Sequence, residues 1–154
     1  MAELATGSEA PHFSLPADEG EIRLTELRGK IVVLFFYPQD NTPGCTAEAI
    51  DFSRLNDEFR KAGAIVIGIS PDSLRKHANF KSKHALTTPL VSDETHEALT
   101  AYGVWAEKTM FGKKYMGVVR TTVLIDRDGK IARIWRKVRV PGHAEEVLAA
   151  ARAL

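Results

Sequence analysis

The sequence predicts an α/β fold built on a central mixed β-sheet with helices on both faces. Three observations predict it. Residues 31–37 (IVVLFFY) and 64–70 (AIVIGIS) are continuous runs of aliphatic, β-branched and aromatic side chains, the pattern of strands covered on both faces. Between them Ala49, Phe52, Leu55 and Phe59 recur at three- and four-residue spacing, one apolar helix face, with Gly63 as a stop. Strand, helix and strand in that order make a βαβ unit with a right-handed crossover. Further along, residues 121–126 (TTVLID) and 130–137 (KIARIWRK) flank Arg127-Asp128-Gly129, a strong hairpin signal.

The remaining elements follow in chain order. Asp18-Glu19-Gly20 reads as the turn of an N-terminal β-hairpin between two short edge strands. Residues 43–62 read as one helix. Residues 73–84 form a second, in which Leu74, Ala78 and the Phe80 region repeat at helical spacing. Residues 90–92 are a short strand, and 94–102 a short helix ended by Gly103. Residues 103–119 (GVWAEKTMFGKKYMGVV) show little periodicity and read as a loop insertion. Residues 142–151 close the chain as a helix. The order βαβ, then α, then ββα is a thioredoxin-like arrangement. No internal repeat or low-complexity stretch breaks the chain, so residues 1–154 read as a single domain of ordinary length.

Composition narrows the function. Basic residues number 21 and acidic residues 20, a net charge of +1, which carries no footprint of nucleic-acid binding. The short basic clusters Lys76-His77 with Lys81 and Lys83, and Arg136-Lys137 with Arg139, read as solvated faces. No stretch approaches the ~18 apolar residues of a membrane span, and residues 1–8 have neither a basic start nor an apolar run. A cytoplasmic protein is the expectation. The single cysteine rules out an intrachain disulfide and argues against a cysteine-based zinc site. His77 and His84 are seven residues apart, about 10 Å along a helix and too far to share a metal. His12 and His143 have no evident partners. Neither a metal nor a cofactor is expected.

The chemistry collects after the first core strand, since ligands of open α/β sheets gather beyond the carboxyl ends of the strands. Thr42 suits an N-cap, Pro43 the first helical position, and Cys45 then falls in the first helical turn. Free backbone N–H groups and the helix dipole favour an anion there, and so a thiolate. An ordinary thiol is only about 3% ionised at pH 7, so full ionisation is worth roughly 30-fold, about 2 kcal/mol. An enzymatic acceleration of at least ~10⁶-fold needs further groups that stabilise charge in the transition state. Cys45, Ala49 and Phe52 share a helix face, which places the sulfur in a shallow pocket near the core. Two readings of Cys45 stand: a small core residue, as free cysteines often are, or a reactive thiolate. The Thr-Pro-Gly-Cys setting after a buried strand favours the second.

Residues 37–52 (YPQDNTPGCTAEAIDF) resemble the active-site segment of the peroxiredoxins, with Pro38, Thr42 and Cys45 matching Pro-x-x-x-Thr-x-x-Cys. The details are most similar to the bacterioferritin comigratory protein group, also called peroxiredoxin Q. The likeness continues through residues 89–93 (PLVSD), YGVW from Tyr102 with Glu107-Lys108, residues 120–126 (RTTVLID) and Gly142-His143, nearly the whole chain. The resemblance implies a thiol peroxidase that reduces hydrogen peroxide and organic hydroperoxides through a sulfenic acid on Cys45. It implies that the Thr42 hydroxyl hydrogen-bonds the peroxide as a donor, that Arg120 lies beside the sulfur, and that Glu48 orients Arg120. Pro38 would shield and shape the pocket, and Gly44 would be a further supporting residue. Each has a plainer reading: Thr42 as an N-cap, Glu48 as an ordinary first-turn acid, Arg120 as a surface residue at a strand start.

The sequence departs from the group in one important respect. Many members carry a second, resolving cysteine five residues after the first, and Ile50 stands there. No cysteine occurs in the next helix either. The resemblance therefore implies a one-cysteine enzyme, recycled by an external thiol such as thioredoxin, or glutathione with glutaredoxin. A transient disulfide between two copies is the other route. A monomer or weak homodimer is expected. A thioredoxin-type exchanger would need a second nearby cysteine, and a cysteine phosphatase an arginine within residues 46–53, and both are absent. A peroxide sensor that uses Cys45 without turnover remains the alternative.

Overall fold

The structure, a computed structural model, describes residues 4–154. The first three residues, part of the N-terminal stretch considered above, lie outside the described residues. The strands are β1 (Ser14–Ala17), β2 (Gly20–Arg23), β3 (Ile31–Phe36), β4 (Ala64–Ser70), β5 (Leu90–Ser92), β6 (Trp105–Met110), β7 (Lys113–Val118), β8 (Thr121–Ile125) and β9 (Ile131–Arg136). The helices are α1 (Pro43–Arg54), α2 (Asn56–Lys61), α3 (Leu74–His84), α4 (Glu97–Ala101) and α5 (His143–Arg152). Seven strands form a mixed sheet in the order β2-β1-β5-β4-β3-β8-β9. β3, β4 and β5 run parallel, while β8 and β9 continue antiparallel from β3. This is the α/β, thioredoxin-like arrangement expected.

The central strand divides the core. Every residue of β3 is buried, and alternate side chains leave on opposite faces. Val32, Leu34 and Phe36 join one apolar layer with Leu99, Tyr102 and Val104. Ile31, Val33, Phe35 and Tyr37 join the other, which holds Cys45, Phe52, Phe59, Phe80 and Val147. The layer with Cys45 is rich in rings: Phe35 stacks on Phe52 with centroids 4.7 Å apart.

Four sequence expectations need correction. The N-terminal hairpin is present, but β1 is no edge strand, because it pairs with β5 through Ala17 and Val91. Asp18 secures that seam: its Oδ1 accepts the Leu90 N–H at 2.7 Å and its Oδ2 accepts Lys81 Nζ at 2.7 Å. The helix expected over residues 43–62 breaks at Leu55 into α1 and α2. There Asn56 turns inward to donate to Thr87 Oγ1 at 3.1 Å, and Ser53 Oγ accepts the Thr87 N–H at 3.0 Å. Residues 103–119 are no loop but contain the antiparallel ribbon β6–β7. Finally, the Lys76-His77 cluster is solvated only in part: Lys76 and Lys83 are exposed as expected, but His77 is fully buried.

His143, which sequence left unpartnered, fastens α5 to the sheet. Its Nε2 lies 2.8 Å from Thr122 Oγ1 on β8, and Phe52 and Trp135 pack edge-on against its ring. Burial pushes the imidazolium down to about 4; Glu146 opposes this, and Arg120 and Arg133 add to it. The folded state thus holds His143 neutral, while the unfolded chain protonates it near its ordinary value of about 6.5. Between those values the unfolded state binds more protons, so this contribution is present above about pH 6.5 and is lost as pH falls toward 4. Urea unfolding of wild type and His143→Gln across that range should show a stability difference that shrinks by up to about 3 kcal/mol at the acid end. A difference independent of pH contradicts this account.

Candidate active site

The site lies where β3 ends. The β3–β8 register sets Phe36 opposite Thr121, which brings Arg120 level with Tyr37 and the loop of residues 38–42. That loop is tied down by side chains. Tyr37 OH donates to Asp40 Oδ1 at 2.6 Å, and the Asp40 N–H donates to Asp72 Oδ2 at 2.8 Å. His77 on α3 places Nδ1 2.7 Å from Asp40 Oδ2 and Nε2 2.8 Å from the Val91 carbonyl. Asn41, at φ 65°, makes the last turn before the helix.

Thr42 occupies the N-cap position in an extended conformation, and Pro43 opens α1. Contrary to the N-cap expectation, the Thr42 side chain caps nothing. Its hydroxyl donates instead to the Gln39 carbonyl at 2.9 Å. The first intrahelical bond is that of the Thr46 N–H to the Thr42 carbonyl. The N–H groups of Gly44 and Cys45 precede it and have no acceptor within the helix. Cys45 is only 1% exposed and sits on the apolar layer with Tyr37, Ala49 and Phe52.

Arg120 completes the geometry. Its Nη2 lies 3.3 Å from Cys45 Sγ, and its Nη1 donates to Glu48 Oε1 at 2.7 Å. Burial opposes the guanidinium charge, but Glu48 and Cys45 outweigh it, so the Arg120 pKa is raised. Burial lifts the Glu48 carboxyl to about 7; the charge and hydrogen bond of Arg120 pull it back, and Asp51 pushes it up further. Glu48 Oε2 is buried and has no hydrogen-bond partner among the described residues. A Cβ on Gly44 would lie 3.2 Å from Arg120 Nη2, so glycine there gives the guanidinium its room.

Of the residues expected from sequence, the structure joins Cys45 and Glu48 to Arg120 in direct contact, with Gly44 beside the guanidinium. Thr42 and the half-buried Pro38 flank them on the loop. Sequence reading passed over Asp40 and His77, 37 positions apart, because no spacing rule links a loop carboxylate to a distant helix histidine. Two clefts of about 400 and 490 Å³ lie toward the opposite ends of the strands, and Cys45 does not line them.

Comparison with known proteins identifies the family. Residues 6–134 match the AhpC/TSA family. The chain is 49% identical over 146 residues to a putative peroxiredoxin bcp of Coxiella burnetii, covering 94% of this chain and 97% of that one. It is 47% identical to peroxiredoxin Bcp of Bacillus subtilis, covering 92% and 91%. Among solved structures, a mutant of Xylella fastidiosa PrxQ superposes with a TM-score of 0.93 at 37% identity, covering 99% and 98%.

The crowding at Gly44 is directly testable. Gly44→Ala should move the flexible end of Arg120 rather than the backbone, so the thermal midpoint should change little. The reaction of Cys45 with hydrogen peroxide should slow by about tenfold or more. An unchanged rate, read by stopped flow, would mean that Arg120 need not lie so close. With the family match spanning most of its length and a cysteine, an arginine and a helix N-terminus meeting at one point, the chain belongs to the AhpC/TSA family and is a peroxiredoxin.

Proposed function

We propose that this peroxiredoxin reduces hydrogen peroxide and organic hydroperoxides by a one-cysteine cycle, with the whole chain acting as one catalytic domain. As a peroxiredoxin it is a thiol peroxidase. The observation that carries the site assignment is the Arg120 Nη2 to Cys45 Sγ distance of 3.3 Å at an uncapped helix start. The Cys45 thiolate attacks the hydroxyl oxygen of ROOH. The S–O bond forms as the O–O bond breaks, giving a sulfenic acid on Cys45 and RO⁻, which takes up the proton the thiol released. Negative charge passes from sulfur to the leaving oxygen. Arg120 and the N–H groups of Gly44 and Cys45 stabilise it at both ends of that path.

Thr42 acts as an acceptor, in place of the donor role that the resemblance implied. Its proton is committed to the Gln39 carbonyl, so the free lone pairs of Oγ1 can accept the O–H of the peroxide and fix which oxygen faces the sulfur. Glu48 holds Arg120 in place, and Pro38 closes the loop side of the site. The Xanthomonas campestris bacterioferritin comigratory protein, 41% identical with a TM-score of 0.89, is described as having alkyl peroxide reduction activity. That description supports organic hydroperoxides as substrates.

The return to thiol requires an external reductant. Structures of Xanthomonas campestris peroxiredoxin Q include two different cysteine-to-serine mutants, so that relative carries at least two cysteines. This chain carries one, and Ile50 is a half-exposed apolar residue on α1. A thiol R′SH attacks the sulfenic acid, releasing water and leaving a mixed disulfide on Cys45. A second R′SH then restores the thiol and leaves R′SSR′. Thioredoxin, or glutathione with glutaredoxin, suits a cytoplasmic monomer or weak homodimer. No helix among the described residues is long and apolar enough to cross a membrane.

Reduced protein mixed with slight excess peroxide should lose its thiol far faster than free cysteine. Cys45→Ser should not react, and Arg120→Ala should be slower by about 10²–10³-fold. Sustained peroxide consumption with thioredoxin or glutaredoxin separates an enzyme from a single-use sensor, and thiol loss at the rate of free cysteine sinks the reading. Because no second cysteine traps the sulfenic acid, mass spectrometry after a peroxide titration should find sulfinic acid on Cys45. A thiol that persists at high peroxide would count against the one-cysteine cycle.

A further inference from the structure

We propose that Asp40 and His77 are a positioning pair for the peroxidase reaction, acting through the peptide bond between Gln39 and Asp40 to aim the hydroxyl of Thr42. The proposal rests on the peroxidase reading above and extends it to residues outside the contact shell of the sulfur.

The argument starts from one rigid plane. The Gln39 carbonyl and the Asp40 N–H belong to the same planar peptide, so fixing one fixes the other. The N–H donates to Asp72 Oδ2 at 2.8 Å, while the carbonyl accepts the Thr42 hydroxyl at 2.9 Å. The direction of the Thr42 lone pairs therefore depends on how Asp40 is held. Asp72 is itself fixed, since its Oδ2 also accepts Ser70 Oγ at 2.7 Å and its carbonyl accepts Ser92 Oγ at 2.6 Å. The Asp40 carboxylate is held by Tyr37 OH at one oxygen and His77 at the other. Five residues of loop are thus anchored to the ends of three strands and to α3.

His77 is suited to this task. It is fully buried, and both ring nitrogens are bound. The Val91 carbonyl can only accept, so Nε2 carries a proton. Asp40 Oδ2 lies 2.7 Å from Nδ1, and the carboxylate charge favours a proton on that nitrogen too, with Oδ2 accepting. The result is an imidazolium against a carboxylate, in a place where burial opposes the charge and the Asp40 hydrogen bond and charge outweigh it. Asp40, Asp72 and His77 each offer a donor atom within 4.8 Å of the others, a spacing that also suits a cation. Those atoms already serve one another, Tyr37, Ser70 and Val91, and these hydrogen bonds account for the cluster.

Stability alone explains the arrangement poorly. A buried ion pair is often no more stabilising than apolar side chains of similar volume, but it fixes a geometry they would leave loose. What it fixes here is the loop whose last residue meets the substrate.

The test uses Asp40→Asn, His77→Gln and the double variant. Three quantities are measured: the second-order rate of Cys45 oxidation by hydrogen peroxide, the rate of Cys45 alkylation by iodoacetamide, and the thermal midpoint. Alkylation needs only the thiolate, whereas peroxide needs Thr42 correctly aimed. Each single variant should slow oxidation by about 10- to 100-fold while alkylation stays within about threefold. The double variant should be no slower than the slower single, as members of one unit behave. In a Thr42→Val background, His77→Gln should cause no further slowing. Tyr37→Phe removes only the Oδ1 hydrogen bond and keeps the ring; should the other variants not fold, it alone should slow oxidation severalfold. Folded variants with wild-type oxidation rates and lowered midpoints would overturn the pair, as would slowing that persists in the Thr42→Val background. Wild-type oxidation no faster than free cysteine would instead overturn the peroxidase reading itself.

Discussion

One cation joins the two halves of this site. The Arg120 guanidinium touches the Cys45 sulfur with one nitrogen and the Glu48 carboxylate with another, and so ties the strand entering β8 to the first turns of α1. Everything nearby accommodates that contact. The antiparallel register of β3 and β8 sets the level of Arg120 along the sheet, and a slip of one residue would turn its side chain to the opposite face. Gly44 leaves out the one Cβ that would crowd it. A carboxylate buried to 1% exposure is expensive without a partner, and Arg120 is the partner that makes Glu48 tolerable.

The energetics follow from the same contact. Ionising the thiol accounts for only about 2 kcal/mol, and the larger share must come from donors that meet charge as it moves onto the leaving oxygen. Burial of the sulfur raises the worth of each such donor, since little water competes with it. Two clefts of about 400 and 490 Å³ lie away from Cys45, toward the opposite ends of the strands. With its carboxyl lifted to about 7, Glu48 leaves the charge balance beside the sulfur sensitive to pH near neutrality.

Much of this was legible in sequence, for physical reasons that differ by element. β3 announces itself because a strand covered on both faces must be apolar throughout, whereas in α3 the expected repeat of Leu74 and Ala78 faces outward and the helix buries His77 and Phe80 instead. Cys45 is readable because Pro43 and a preceding extended residue mark a helix start. The roles of Arg120 and Glu48 came from family resemblance, since nothing local reveals that a strand-entry arginine will meet a helix 75 positions earlier. The ribbon β6–β7 was missed because most of it faces no core, so no alternation is imprinted on its side chains. His77 was misread because its lysine neighbours made the segment look solvated, whereas burial is decided one side chain at a time. Thr42 has the composition of a cap, and only the geometry reveals that its hydroxyl turns to Gln39.

The ribbon β6–β7 also has a bearing on how the protein keeps company with itself. It stands apart from the seven-stranded sheet, and Phe111 at its tip is 98% exposed, with Met110 and Met116 about half exposed. A free two-stranded ribbon with two open edges and apolar side chains is a template for stacking copies of itself. Lys113 and Lys114 follow directly after the tip and are exposed. Lys114 lies 3.8 Å from Glu107 on the paired strand, so the edges carry charge of both signs beside the apolar tip, the kind of side chain that blunts an open edge.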